Sequence, residues 1–309
     1  MGRIIKKIAV IGAGLMGHGI AQEFSTAGYE VALNDVSNQR LGLALGNVRE
    51  NLGGLGFAKE DVNRIAARIQ TSTDLPIVLL DADLVVEAVS EDLEVKRIVF
   101  TKIDQLVPTH SIIASNTSSF MPSQLASVTG RPGQVLVTHY FNPPYLVPLV
   151  EIVRSSDTTD ETITSVTTLL KGIGKYPVVL KREVPGFIAN RLQAALLREC
   201  FALVEDGVAE PQDIDDVMTH SLGRRLAVAG PFEIFDAAGL DVWKAIASQL
   251  MPVIESSPDL PALLTDLTRR GDFGIKTGKG VHTWSCQESK DLRNRLTSAL
   301  TAIQRWTEQ

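Results

Sequence analysis

The chain is poor in cysteine, with Cys200 and Cys286 the only two in 309 residues. They stand far apart with no C-x-x-C spacing, which excludes a disulfide framework and reads as two thiols in a reducing compartment. No stretch approaches the roughly 20 consecutive apolar residues that span a bilayer. The basic opening "MGRIIKKIAVIGAG" breaks at glycines and carries no cleavage site, so it does not read as a secretory signal. The expectation is a cytoplasmic protein with no membrane partner. Positive charge is not in surplus either. The formal net charge of -6 argues against nucleic acid as the main partner. Neither a G-x-S-x-G elbow nor a G-K-[ST] loop is present, which removes the common hydrolase and kinase readings. No metal is expected.

What remains has the balance of a folded domain protein, 44% apolar and 21% charged. A length of 309 residues favours two cores over one. Up to about residue 180, short apolar runs alternate with helical patterns, as in an α/β sheet domain. "KIAVIGAG", "EVALNDV", "ADLVVEAV", "SIIASNT", "QVLVTHYF", "LVEIVRS" and "YPVVL" read as strands. Helical periodicity covers "LMGHGIAQEFSTAG", residues 39–69, "LEVKRIVFTKIDQLV" and residues 159–172. After "VPGFIANRL" the strands stop and helical periodicity takes over, from Ile188 to Glu205 and again from Pro211. Pro185-Gly186 punctuates the change, giving an expected sheet domain over 1–183 and an all-α domain over 184–309.

"GAGLMG" places Gly12, Gly14 and Gly17 in G-x-G-x-x-G spacing, with Leu15 and Met16 between them. It lies between an apolar run and an amphipathic helix, the context that gives the spacing meaning. Gly12 permits the tight turn, Gly14 admits a pyrophosphate against backbone, and Gly17 packs helix on strand. The helix start then offers free N–H groups to the phosphates. The next strand ends at Asp35, whose carboxylate suits ribose hydroxyls and repels a 2′-phosphate. No arginine follows within four residues. The expected fold is therefore Rossmann-type in the first domain, and the expected cofactor is NAD rather than NADP.

His139 and Glu151 flank an Asn-Pro-Pro turn in "HYFNPPYLVPLVEIV". If the two flanking segments are adjacent strands, imidazole and carboxylate meet at one sheet edge. A strand-end histidine alone is more often structural. Here it has a carboxylate partner and a cofactor loop in the same domain, which favours catalysis. An imidazole suits removal of a hydroxyl proton near neutral pH, and a carboxylate behind it fixes the ring.

Taken with "VVEAVSEDLEVK", "ASNTSS", "VPGFIANRL", "AGPFEIFDAAGLD" and "GIKTGKG", these blocks resemble the L-3-hydroxyacyl-CoA dehydrogenase family over nearly the full length. The resemblance implies His139 as base and Glu151 as its acidic partner. It assigns Ser118 and Asn190 to the reacting oxygens, as donors in the manner of an oxyanion site. By themselves these two read equally well as a turn residue and a helix-start contact. The resemblance further puts Glu91, Lys96, Asn116 and Asn142 on the nicotinamide side and has Lys276 reach the cofactor, although a solvated loop lysine fits Lys276 almost as well. It also implies fatty-acid metabolism and a homodimer joined through the helical domain. The length of apolar helix in "FIANRLQAALLRECFALVEDG" points to the same pairing.

On substrate the blocks divide. "AGPFEIFDAAGLD" and "GIKTGKG" follow the acyl-CoA branch, which implies oxidation of a short-chain L-3-hydroxyacyl-CoA to its 3-keto form. "NPPYLVPLVE" and "SSFMPSQL" are closer to a sister branch of L-gulonate dehydrogenases and lambda-crystallins, acting on free hydroxy acids or serving as structural proteins. Coenzyme A-specific relatives carry a lysine-rich arm after the second strand. The matching stretch here, "LGLALGNVRENLGGLGFA", has one basic residue, Arg49. The thioester is the expected substrate, with the free acid as its alternative. Intact Ser118, His139, Glu151 and Asn190 speak against a purely structural role.

Overall fold

The computed structural model describes residues 2–307. By internal contacts the chain divides into two compact units, up to Asn190 and from Arg191 onward. The division falls just inside a helix, a little beyond Glu183.

The first unit is built on one eight-stranded sheet, in the order β3-β2-β1-β4-β5-β6-β7-β8. Its strands are β1 (Lys7–Ile11), β2 (Glu30–Asn34), β3 (Ile69–Ser72), β4 (Leu84–Glu87), β5 (Ile112–Ser115), β6 (Val135–Tyr140), β7 (Leu149–Val153) and β8 (Tyr176–Leu180). All pairings are parallel except β6 with β7. β4, β5 and β6 are buried along their whole length, which is why their sequences read as continuous apolar runs. Helices α1 (Leu15–Thr26), α2 (Asn38–Gly54), α3 (Lys59–Ala66), α4 (Leu75–Leu79), α5 (Leu93–Leu106), α6 (Pro122–Ala126) and α7 (Asp160–Gly172) connect them. Local chemistry starts several of these helices. Ser37 caps α2, Asp92 caps α5 and Thr159 caps α7, each through a side-chain oxygen that accepts a first-turn N–H.

Residues 39–69, read as one helical stretch, are instead two helices and the start of an edge strand. α2 stops before Gly56, which holds φ +87. β3 is short, and its middle residues Gln70 and Thr71 are exposed. An edge strand of this kind lacks the apolar run that marks its neighbours.

The parallel order reverses direction between β1 and β4, and it is at such a switch point that α/β sheets open a crevice for ligands. β6 to β7 is different. Eight residues cannot carry a crossover back to the other end of a sheet, so the chain turns straight round and β7 runs antiparallel. That turn sets the register in which His139 faces Glu151.

The second unit continues α8 (Ala189–Glu205) and adds α9 (Pro211–Val217), α10 (Gly223–Leu226), α11 (Pro231–Ala238), α12 (Leu240–Leu250), α13 (Ala262–Arg269) and α14 (Cys286–Thr307). Its extended pairings among the described residues are the isolated bridges of Gly274 with Lys279 and of Lys279 with Thr283. The fold is thus an α/β Rossmann-type unit followed by an all-α unit. Among the described residues no helix is long and apolar enough to cross a membrane.

Candidate active site

The glycine loop leaves β1 and enters α1 at the switch point. Gly12 has φ +102, and a Cβ there would lie 2.6 Å from the carbonyl oxygen of Ala88, just past β4. A Cβ on Gly17 would lie 1.7 Å from the carbonyl oxygen of Gly12, so only glycine lets α1 sit this close to β1. Gly14 is the opposite case. It is exposed, and a Cβ there would meet nothing within 4 Å on the protein side. The open space is what a dinucleotide phosphate needs. No side chain caps α1 at Gly14, which leaves first-turn N–H groups for an outside acceptor. Leu15 is exposed and Met16 half-buried on the same turn. The cradle fits a dinucleotide.

Asp35 ends β2 as a buried carboxylate. Its Oδ2 accepts the N–H of Ala13 at 3.0 Å and its Oδ1 that of Ser37 at 3.0 Å, tying the glycine loop to the start of α2. One turn on, outside the four-residue window read from the sequence, Arg40 brings its guanidinium to 4.0 Å from Oδ1.

At the ends of β4 and β5 a network runs from the buried Lys96 and Glu87 out to the exposed Glu91. The Lys96 side chain is wholly buried, with its ammonium 2.8 Å from Glu87 and 3.3 Å from Glu91. Glu87, which the sequence reading passed over, also accepts from Ser115 at 2.6 Å and from the Val89 N–H at 2.7 Å. Lys96 is therefore committed to these carboxylates, and it acts on its surroundings through Glu91. One oxygen of Glu91 accepts from the Thr117 hydroxyl, from the Ser118 and Ser119 N–H groups and from the Ser119 hydroxyl, at 2.5–3.1 Å. Burial opposes ionisation of Glu91, but those donors and Lys96 hold its carboxyl below the usual range. Asn116 accepts the N–H of Tyr140 at 3.0 Å, which ties this loop to the end of β6. Asn142 is exposed just beyond it, at a cis peptide bond with Pro143.

The His139 and Glu151 side chains are both buried. Nδ1 of His139 lies 2.8 Å from Glu151 Oε2, and Nε2 lies 3.2 Å from the Ser118 hydroxyl. The carboxylate fixes the proton on Nδ1, so Nε2 is left as the basic atom facing Ser118. The other Glu151 oxygen accepts the N–H groups of Ile188 and Ala189, at 2.9 and 3.0 Å. These belong to the start of α8, and Gly186 at φ 76 with Phe187 at φ 54 aims them. Burial pushes the Glu151 carboxyl up, while His139 and the two N–H groups more than offset it and keep the group below the ordinary carboxylate range. Phe141 and Phe187 stack at a tilt on the imidazole, with centroids at 4.5 and 5.4 Å, and keep water from two of its sides. Asn190 donates to the carbonyl of Ser118 at 2.9 Å, leaving its second amide hydrogen free of that bond. Lys276 lies in the second unit, exposed on the turn that holds the isolated bridges.

The sequence-read residues His139, Glu151, Ser118 and Asn190 thus converge in the first unit. Missed were Phe141, Phe187, Glu87 and the N–H pair of Ile188 and Ala189. The one available signal was "PGF", a turn whose glycine precedes a helix.

The family model of the 3-hydroxyacyl-CoA dehydrogenase NAD binding domain matches residues 7–184, and that of the C-terminal domain matches 186–284. The chain belongs to the 3-hydroxyacyl-CoA dehydrogenase family. It is thus an NAD-dependent oxidoreductase of the 3-hydroxyacyl dehydrogenase type. Within the family it is 33% identical over 308 residues to the 5-formyl-3-hydroxy-2-methylpyridine 4-carboxylate 5-dehydrogenase of Mesorhizobium japonicum, with 99% of each chain covered. It is 36% identical over 282 residues to a probable 3-hydroxybutyryl-CoA dehydrogenase of Deinococcus radiodurans, covering 90% of this chain and all of that one. A crystal structure of a 5-formyl-3-hydroxy-2-methylpyridine 4-carboxylic acid 5-dehydrogenase, described as an NAD+-dependent dismutase, superposes with a TM-score of 0.91 at 32% identity, with 99% of each chain covered. α14 begins beyond residue 284, where the family model ends, and full-length matches of this kind include it.

Proposed function

We propose that this family member oxidises the hydroxyl of a small free hydroxy acid, reversibly, in place of a coenzyme A thioester. The observation that carries the choice is the scarcity of positive charge from Leu41 through the turn after α2. Between Leu41 and Ala58 the one basic side chain is Arg49, and its guanidinium turns back to the carbonyl of Leu45. A ligand with several phosphates gains affinity from a cluster of cations, and this arm has none. The full-length likeness to a dehydrogenase named for a pyridine carboxylate supports the same direction. The thioester read first from the sequence stands as the second reading, favoured by relatives named for 3-hydroxybutyryl-CoA.

In the chemistry proposed, Nε2 of His139 takes the hydroxyl proton while Glu151 holds Nδ1–H and stabilises the imidazolium that forms. The Ser118 hydroxyl, 3.2 Å from Nε2, donates to the substrate oxygen once that oxygen lies between them. The free amide hydrogen of Asn190 is the second donor. NAD, when bound, supplies the acceptor for the electron pair leaving the carbon. The glycine loop and Asp35 hold its phosphates and ribose, and the Glu91–Asn116 loop with Asn142 orders the nicotinamide side. Phe141 and Phe187 exclude water around the base.

The reading carries with it a homodimer through the second unit. Among the described residues from Arg191 onward only Phe201 and Leu267 are buried hydrophobics, while Phe232 is 80% exposed and Val228 74%. A second copy of the same helices is the cover this surface fits. Free cysteines support a cytoplasmic setting.

NAD-linked assays with a panel of free 3-hydroxy acids and 3-hydroxyacyl-CoA esters test the substrate. Turnover of free acids with negligible turnover of every thioester is expected. Efficient turnover of 3-hydroxybutyryl-CoA alone would overturn the choice and restore the second reading.

A further inference from the structure

Lys175, in the turn between α7 and β8, is 8% exposed and has no part in the chemistry above. Its ammonium pairs with Glu23 on α1, donates to the carbonyl of Pro144 at 2.5 Å and reaches that of Val147 at 3.4 Å. A buried ammonium is costly unless its donors are satisfied, and here all its partners lie on two segments. One is the helix that carries the glycine loop. The other is the eight-residue link from β6 to β7.

That link, "FNPPYLVP", has little means to hold its own shape. Pro143, Pro144 and Pro148 lack N–H groups, and the N–H groups of Leu146 and Val147 both go to the Pro143 carbonyl. The carbonyls of Pro144 and Val147 need a donor from outside, and Lys175 supplies it. The link also sits against α1, where a Cβ on Gly19 would come within 2.9 Å of the Pro144 ring. It carries Phe141, which stacks on His139, and the exposed Asn142.

We propose that Lys175 is a positioning residue for the cofactor. By clamping the link onto α1, it sets Asn142 for the nicotinamide end of NAD. This rests on the reading of Asn142 given under Proposed function. The ion pair alone would be an ordinary buried contact between a turn and a helix. The two carbonyl bonds are what extend it to the link.

Lys175→Met alone would strand a buried Glu23 and lower stability, so the informative protein is the double variant Glu23→Gln/Lys175→Met. It is expected to melt near the wild-type temperature, yet to bind NADH on the order of tenfold more weakly in a fluorescence titration. Adding Asn142→Ala to it should weaken binding little further, because both changes disable one contact. Glu23→Gln alone, which keeps the carbonyl bonds, should leave NADH affinity close to wild type. If the double variant binds NADH like the wild type while Asn142→Ala weakens it, the positioning role is wrong and the reading of Asn142 survives. If Asn142→Ala has no effect, that reading falls and takes the proposal with it. Should the double variant melt early, Lys175→Arg provides the comparison: the charge pair persists, but the bulkier planar donor cannot occupy the same point between two carbonyls. NADH binding weakened several-fold in a protein of wild-type melting temperature supports the role, and unchanged binding overturns it.

Discussion

The two units treat the same side chain differently. Phe100 in α5 is fully buried in the layer that covers one face of the sheet, whereas Phe232 in α11 is 80% exposed. The first unit closes its core with its own strands and helices. The second leaves Leu192, Val228, Phe232, Met251 and Val253 well exposed. The first unit has exposed apolar side chains too, Val36 among them, but it also has a buried core, whereas Phe201 and Leu267 are the only buried hydrophobics among the described residues of the second. His139, Glu151, Ser118 and Asn190 all lie in the first unit.

The largest loss of activity is expected from within the first unit. His139→Gln should lower kcat by roughly 10²–10⁴ while NADH titration stays near wild type. Glu151→Gln should cost much of the same, and the double variant little more, because the pair works as one. Losses that multiply would show two independent residues.

A paired substitution then sharpens the contrast in stability. Phe100→Ala should cost about 3–5 kcal/mol, read by denaturant melts at any protein concentration. Phe232→Ala should cost little in a dilute monomer and more as concentration rises and the second copy assembles. Light scattering at micromolar concentration that shows a monomer throughout, or a loss at Phe232 independent of concentration, would remove the partner from the picture.

The carboxyls of Glu151 and Glu91 ionise more readily folded than unfolded. Each therefore adds stability that is present above its ordinary value of about 4.5 and is lost as pH falls through its lower folded value. Acid melts should weaken the first unit below about pH 4.5, and Glu151→Gln should flatten that decline. An unchanged profile in the variant would mean that other groups set the acid limit.

The smallest expected effect is at the cofactor's ribose. Asp35→Ala should narrow the preference for NADH over NADPH, since it removes the carboxylate and leaves the Arg40 guanidinium beside the position it vacates. Side-by-side titrations that show a wider preference would contradict this account of the β2 end.

Much of the first unit could be read in advance because its signals are local. The spacing of Gly12, Gly14 and Gly17 names the turn, and the shortness of "FNPPYLVP" forces His139 and Glu151 into one register. Other features have no local signature. β3 hides in a polar edge segment, and Lys96 looks like any amphipathic-helix lysine until Glu87 and Glu91 are seen to enclose it. The N–H pair that Glu151 accepts depends on a positive φ at Phe187, a conformation that a phenylalanine does not announce. In the second unit the periodicity names the helices, but the sequence does not mark which of their apolar residues stay exposed.

The reversed strand β7 has a consequence for how the protein comes into being. Because the chain doubles straight back, base and carboxylate are separated by only a short closed loop, and forming such a contact costs little chain entropy. The contact between His139 and Glu151 is thus entropically cheap to form once β6 and β7 exist. During synthesis both strands, and with them this contact, emerge before the second unit has been made.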